Sequence, residues 1–246
     1  MKSLVCISHV PDTTTKITFT PDGKSLNENG VTFIIGPYDE YGLVRAIELK
    51  EANNNQGHVT ALCVGGPAVE PTLRKALAIG ADDAVRIDTN PQDAYQVAKQ
   101  IAEYAKDKDY QYIFMGKESI DNNGSEVPGM VAELLGLPYV SYAIKVEPKG
   151  NTVELHREVD GGYEVLESSL PVIITCQKGV AEWRIPNMRG IMAARTKPLK
   201  VVAPVAVEPH TVTEKYDYPP PKAGVKYIQP ENVQEIVQVL IEKGAL

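Results

Sequence analysis

Cysteine is scarce in this chain: Cys6, Cys63 and Cys176 are three in 246 residues, far apart, odd in number and each set in an apolar run. That excludes a disulfide framework and a CxxC metal site, and reads as three buried, reduced thiols. Basic charge is also short. Lys and Arg number 25 against 32 Asp and Glu, a formal net charge of -7, which argues against a nucleic-acid or anionic-membrane binder. No apolar stretch approaches ~20 residues, so no membrane insertion is expected. The opening MKSLVCISHV is too short in its apolar part for a signal peptide. The expectation is a cytoplasmic protein, or one of the mitochondrial matrix if a presequence was removed. Four scattered histidines, His9, His58, His156 and His210, make no metal constellation. There is neither a Walker loop GxxxxGK[ST] nor a GxGxxG.

What is present is an alternation of strand and helix patterns. Ser3 to Val10 reads as a buried strand, and PYDEYGLVRAIELKEANN as a helix with Pro37 at its start and Asp39 and Glu40 in its first turn. HVTALCVGG is a strand, PTLRKALAIG a short helix stopped by Gly80, AVRI a strand, QDAYQVAKQIAEYAKDKD a helix and YQYIFMG a strand. This order predicts an α/β fold with a Rossmann-like parallel sheet covered on both faces. Such sheets bind ligands at the carboxyl ends of their strands, beside a topological switch point. Three exits made of small residues, Ser8 to Pro11, Val64 to Pro67 and Met115 to Lys117, are expected at that end.

The third exit opens GKESIDNNGSEVPGMVAELLG, Gly116 to Gly136, a polar loop entering a helix between Ser125 and Pro128. Unpaired N–H groups and the helix dipole suit an anion there. Gly124 can take backbone angles closed to other residues, Ser125 can cap, and Glu126 opposes by adding like charge. From Tyr139 the pattern turns to alternating residues around Pro148-Lys-Gly and Asp160-Gly-Gly, as in antiparallel hairpins, through PVIITC. After Pro198 valine and proline predict an extended arm. It closes in PENVQEIVQVLIEKG, an amphipathic helix with Val233, Ile236, Val237 and Leu240 on one face. Residues 1–200 are read as the Rossmann-like domain with a hairpin extension, and 201–246 as the arm.

Six motifs in order, VPDTTTKITF, GPYDEYGLVRAIELKE, VGGPAVEPTLRKALAIGADDAVRI, GKESIDNNGSEVPGMVAELLGLP, REVDGGYEVLESSLPVIIT and WRIPNMRGIMAARTKPL, resemble the small (beta) subunit of electron transfer flavoprotein over nearly the whole chain. The resemblance implies an adenine-nucleotide alpha-hydrolase-like fold and a non-catalytic electron carrier, one half of a heterodimer whose alpha subunit holds most of the FAD and on which the C-terminal arm packs. It implies an adenine nucleotide, AMP, in the beta subunit. Asn122, Gly124, Ser125, Glu126 and Val127 would surround its phosphate, with Cys6, Gly36 and Gly65 near the adenosine. Glu126 and Val127 replace the usual Gln-Thr pair, and Gly36 an Asn. The threonine hydroxyl lost at Val127 weakens the site, and valine there is a feature of the electron-bifurcating branch, with a second FAD in place of AMP. MRGIMAARTKPL is similar to the single-flavin branch. Thr13 aligns with a position near the FAD of alpha.

The same resemblance makes 181–200 the segment that docks acyl-CoA and related dehydrogenases, with electrons passing on to a downstream quinone oxidoreductase. Met188 is its apolar anchor, among Arg184, Arg189, Arg195, Lys197 and Lys200. A flexible thioether suits several partners. Two readings of other classes stand beside it. A nucleotide-using enzyme such as an ATP-dependent ligase or sulfurtransferase would want a first loop like SGGxDS where this chain has SHVPDTTTK, with His9 and Asp12 as the available acid–base pair. A stress-type nucleotide-binding module would be a homodimer without so long an arm.

Overall fold

A computed structural model describes residues 1–222 and 224–246. In chain order the elements are β1 (Lys2–Cys6), β2 (His9–Pro11), β3 (Phe33–Ile35), α1 (Pro37–Ala52), β4 (His58–Val64), α2 (Glu70–Ile79), β5 (Asp83–Ile87), α3 (Ala94–Ala105) and β6 (Tyr112–Gly116). There follow α4 (Glu126–Leu135), β7 (Tyr139–Lys149), β8 (Thr152–Val159), β9 (Gly162–Ser169), β10 (Val172–Cys176), α5 (Met188–Ala194), β11 (Leu199–Val202) and α6 (Val233–Glu242). One sheet has the order β11-β5-β4-β1-β6-β10-β7-β8-β9, parallel from β11 to β7 and antiparallel from β7 to β9. The order reverses between β1 and β6, which makes the switch point of a Rossmann-like sheet.

The period of two in the strands sorts the core into two layers. Val5 and Phe114 face α1 and α2, where Leu43, Ile47, Leu73 and Leu77 complete one cluster. Leu4, Leu62, Ile113 and Ile173 face the other way, against Ile101 of α3 and Val131 of α4. Both faces are dry, so each strand reads as a nearly unbroken apolar run.

Three expectations are corrected. Ser3 to Val10 is not one strand: β1 ends at Cys6, and His9–Pro11 leaves the sheet to pair with β3. PVIITC is not a limb of a hairpin. It returns as β10 between β6 and β7, parallel to both, and all five of its residues are buried. The start of the supposed arm, Leu199–Val202, joins the sheet as β11 beside β5.

Beyond Val202 the chain runs extended along α3. Buried Gln100 holds it like a strand partner: its Oε1 accepts from the Val205 N–H at 2.9 Å and its Nε2 donates to the Val205 carbonyl at 2.7 Å. Gln96 Nε2 donates to the Val207 carbonyl at 2.8 Å. The terminal helix α6 has the predicted apolar face, and none of its residues is buried.

Candidate functional site

The exits of β1, β4 and β6 meet at one cavity of about 350 Å³, lined at these exits by Cys6 to His9, Leu62 to Val64, and Met115 and Gly116. Asp39 forms its floor. Two turns of sequence logic put it there: Pro37 starts α1 and Asp39 falls in the first turn, where an acid favours the dipole. The tertiary fold then buries it. One carboxylate oxygen accepts from the Ser8 N–H at 2.8 Å and from the Ser8 hydroxyl, the other from the Gly116 N–H at 2.7 Å. Asp39 thus ties α1 to both strands of the switch point. A Cβ on Gly116 would lie 2.5 Å from Asp39 Oδ1 and 2.9 Å from the Asp39 backbone nitrogen, so glycine is needed there; one on Gly36 would overlap the Asp39 carboxylate and the Ser8 hydroxyl in their present positions. Burial pushes the Asp39 carboxyl up to about 6, against the pull of its three donors. The Cys63 thiol is likewise pushed up to about 12 by burial, and those of Cys6 and Cys176 further, so none is a ready nucleophile.

The loop after β6 is folded on itself. Asp121 accepts from the Asn122 N–H at 2.9 Å and the Ser119 hydroxyl at 2.6 Å, while Asn122 Oδ1 accepts from the Gly124 N–H at 2.8 Å. The N–H groups of Asn122 and Gly124 are therefore spent inside the loop. Those of Ser125, Glu126 and Val127, at the open end of α4, have no protein acceptor among the described residues. Ser125 occupies the N-cap position without a side-chain cap bond, and the residue with positive φ is Asn123 (53°) rather than Gly124. A Cβ on Gly124 would meet Asn122 Oδ1 at 2.8 Å and Glu126 Oε2 at 3.1 Å, so those side-chain ends would have to shift.

On the same face of the sheet as α1 and α2, the segment 181–200 forms a platform fastened to α2. Arg74 Nη1 donates to the carbonyls of Ala194 at 2.9 Å and Lys197 at 2.8 Å, and the Lys197 ammonium donates to those of Leu77 at 3.0 Å and Ala81 at 2.6 Å. Asn187 caps α5 by accepting from the Gly190 N–H at 2.8 Å. On this mount Trp183, Ile185, Met188, Ile191 and Met192 stand exposed, Ile185 at 82% and Met188 at 73%. Five large apolar side chains are thus exposed between residues 183 and 192 on a segment pinned to α2.

A family profile described as "Electron transfer flavoprotein domain" matches residues 24–207. The chain belongs to the family of electron transfer flavoprotein beta subunits. It is 35% identical to the "Electron transfer flavoprotein subunit beta" of Bacillus subtilis, over 98% of this chain and 97% of that one. It is 37% identical to the subunit of the same name in Syntrophomonas wolfei (92% and 89% covered). The "Acryloyl-CoA reductase electron transfer subunit gamma" of Anaerotignum propionicum is 31% identical, with both chains covered in full.

Within this family frame the expected nucleotide residues divide. Cys6, Asn122, Gly124, Glu126 and Val127 line the cavity; Gly36, Gly65 and Ser125 are not among its lining residues. Sequence reasoning did not bring Asp39 or the start of α3 to the site, where Pro91 to Ala94 and Val97 also line the cavity; His9, named in the sequence as a possible acid or base, lines it too. A signal existed for α3. Asp93 precedes the apolar period of that helix, and its Oδ1 accepts from the Gln96 N–H at 2.8 Å as an N-cap does. In the platform, Arg189 and Arg195 are exposed, but Arg184 is paired bidentately with Glu51 at 2.8 and 2.9 Å and Lys197 is turned inward. Thr13 is exposed beside the turn in which Asp12 accepts from the Thr14 N–H at 2.9 Å, away from the cavity.

Proposed function

We propose that this chain is the non-catalytic half of a heterodimeric electron carrier. Its alpha partner holds the FAD, and the pair takes electrons from acyl-CoA-type dehydrogenases and passes them to a quinone reductase or similar acceptor. FAD supplies reversible electron uptake when bound; this chain supplies a docking surface and a nucleotide cavity. The observation that carries the reading is the exposed apolar platform around Met188 on a mount of backbone-directed Arg74 and Lys197. A rigid base with flexible thioethers at its tip suits a surface that meets several partners. The name of the Anaerotignum propionicum relative, with its CoA-thioester reductase, agrees with CoA-linked partners. His9 does not read as an acid–base catalyst: it stacks on Phe33, bonds Thr72 Oγ1 at 2.7 Å, and burial lowers its pKa.

In the cavity we infer an adenine nucleotide, AMP in the first instance. The apolar walls fit a base, and the N–H groups of Glu126 and Val127, both lining residues, remain for an oxyanion. Val127 favours the bifurcating alternative with a second FAD. Nucleotides released from the complex with the alpha partner decide between them. One FAD with one AMP supports the reading, two FAD replace it with the alternative, and no FAD overturns both. Met188→Ala should slow flavin reduction by a dehydrogenase with FAD content unchanged; loss of FAD would place Met188 in the alpha contact instead.

A further inference from the structure

The chain's sulfur is held in three thiols and five thioethers, and the fold sorts them by access. Cys6, Cys63 and Cys176 are buried, and burial raises all three thiols well above the range in which a thiolate forms near neutral pH. Met115 lies in β6 at 5% exposure, and Met1 and Met130 are partly buried against the two core layers. Met188 and Met192 are 73% and 56% exposed, and both stand on α5. We propose that Met188 and Met192 form a paired oxidation site, whose conversion to sulfoxides by hydrogen peroxide switches off docking of the dehydrogenase partner; this rests on the docking reading given above.

The pairing follows from the sequence of α5, MRGIMAA. At about 3.6 residues per turn, Met188 and Met192 share one face of the helix, and Gly190 and Ala194 share the opposite one. Gly190 lies so close to α2 that a Cβ there would stand 2.4 Å from the Ala78 carbonyl oxygen, and Ala194 is buried. Small residues thus fill the inner face, and the two thioethers are turned outward. The segment is fastened without them: Arg74 and Lys197 hold it through backbone carbonyls, and Asn187 caps the helix. An oxygen added to either sulfur leaves these bonds in place and the core untouched.

The chemistry balances with peroxide alone. The sulfur lone pair attacks one oxygen of hydrogen peroxide and the O–O bond breaks. The transferred oxygen gives its proton to the departing hydroxide, which leaves as water. Sulfur loses two electrons and peroxide gains them. A flexible apolar side chain becomes a polar, chiral one, and sulfoxide reductases, one for each epimer, reverse the change. Trp183, Ile185 and Ile191 beside the pair keep the rest of the patch apolar. Each sulfoxide oxygen must therefore lose its water when an apolar partner surface closes over the platform, and that desolvation opposes docking.

The test treats the complex with its alpha partner with hydrogen peroxide, removes the excess with catalase, and locates sulfoxides by peptide mass mapping. Met188 and Met192 should oxidise on the order of tenfold faster than Met115 and Met130; equal or inverted rates overturn the site. Reduction of the FAD by an acyl-CoA dehydrogenase charged with its substrate is then followed at varied concentrations of the complex. The KM for the complex should rise on the order of tenfold with kcat and FAD content nearly unchanged, and sulfoxide reductases of both types should restore it. In the Met188→Leu, Met192→Leu double variant, whatever its starting KM, peroxide should not move that value. A rise in the double variant equal to that in the wild type puts the lesion elsewhere and overturns the proposal. If Met188→Ala raises KM but complete oxidation of both methionines does not, the switch falls and the docking reading stands. If neither changes KM, both fall.

Discussion

Leu77 in α2 and Leu240 in α6 hold the same kind of position, an apolar residue on one stripe of a short helix, yet Leu77 is fully buried and Leu240 is 37% exposed. The difference extends to the regions around them. The body, to Val202, buries both faces of its sheet, so its amphipathic helices are consumed by their own core. The arm from residue 203 is held through backbone groups, by Gln96, Gln100 and Asp93, and reaches its end with an apolar stripe that nothing covers. An apolar stripe in the body is a statement about folding; in the arm it is the surface we propose for a partner.

Truncation at the two leucines puts that contrast at its sharpest. Leu77→Ala should cost the full chain about 2–5 kcal/mol in urea unfolding, the range for a large-to-small change in a closed core. Leu240→Ala should cost less than about 0.5 kcal/mol in the same experiment. In the complex with the alpha partner it should weaken association. Equal losses in the lone chain would mean that α6 packs on its own body and that the contrast is false.

A smaller effect separates buried from exposed acids. The folded value of Asp39, about 6, lies above the ordinary 3.8, so the charged form is the one the fold disfavours. Its contribution to stability is then complete below about pH 4 and is lost as pH rises through about 6. A shift of this size is worth about 3 kcal/mol across the window. Asp39→Asn removes the titration, so the gap between wild type and variant should move in favour of the variant as pH is raised from 4 to 7. A gap that stays flat over that range would show the carboxylate to be fully compensated by Ser8 and Gly116.

Much of the body was legible because its signals are local. The apolar period of α2, the Gly80 stop and the three small-residue exits need only neighbours in sequence to be read, and the exits do line one cavity. Asp39 was legible only in part. Its place in the first turn of α1 reads as a dipole effect, but its partners lie 31 and 77 residues away, and no local pattern carries them. β10 misled for a different reason. VIITC has the unbroken apolar run of a strand buried on both faces, but it follows two strands that alternate, and the Asp160-Gly-Gly turn extends the hairpin reading over it. Lys197 belongs to the first kind of failure. In sequence it is one of five basic residues in a docking segment, and in space its ammonium closes the carbonyl end of α2, where burial lowers its pKa.

The smallest predicted effect tests the hinge between the two regions. Gln100 is buried, and both ends of its amide are given to Val205. Its removal frees one N–H and one carbonyl on a segment that is already exposed, where water can take them over, so the net cost should be about 1–2 kcal/mol and local. Gln100→Ala should therefore leave the urea midpoint of the body nearly unchanged while hydrogen exchange at Val205 accelerates on the order of tenfold, with the change fading toward Thr211, where Asp93 still accepts. Unchanged exchange at Val205 would show that Asp93 and Gln96 suffice to hold the arm. A fall in the midpoint would show that the strap is part of the body's fold, and the boundary at Val202 would move outward with it.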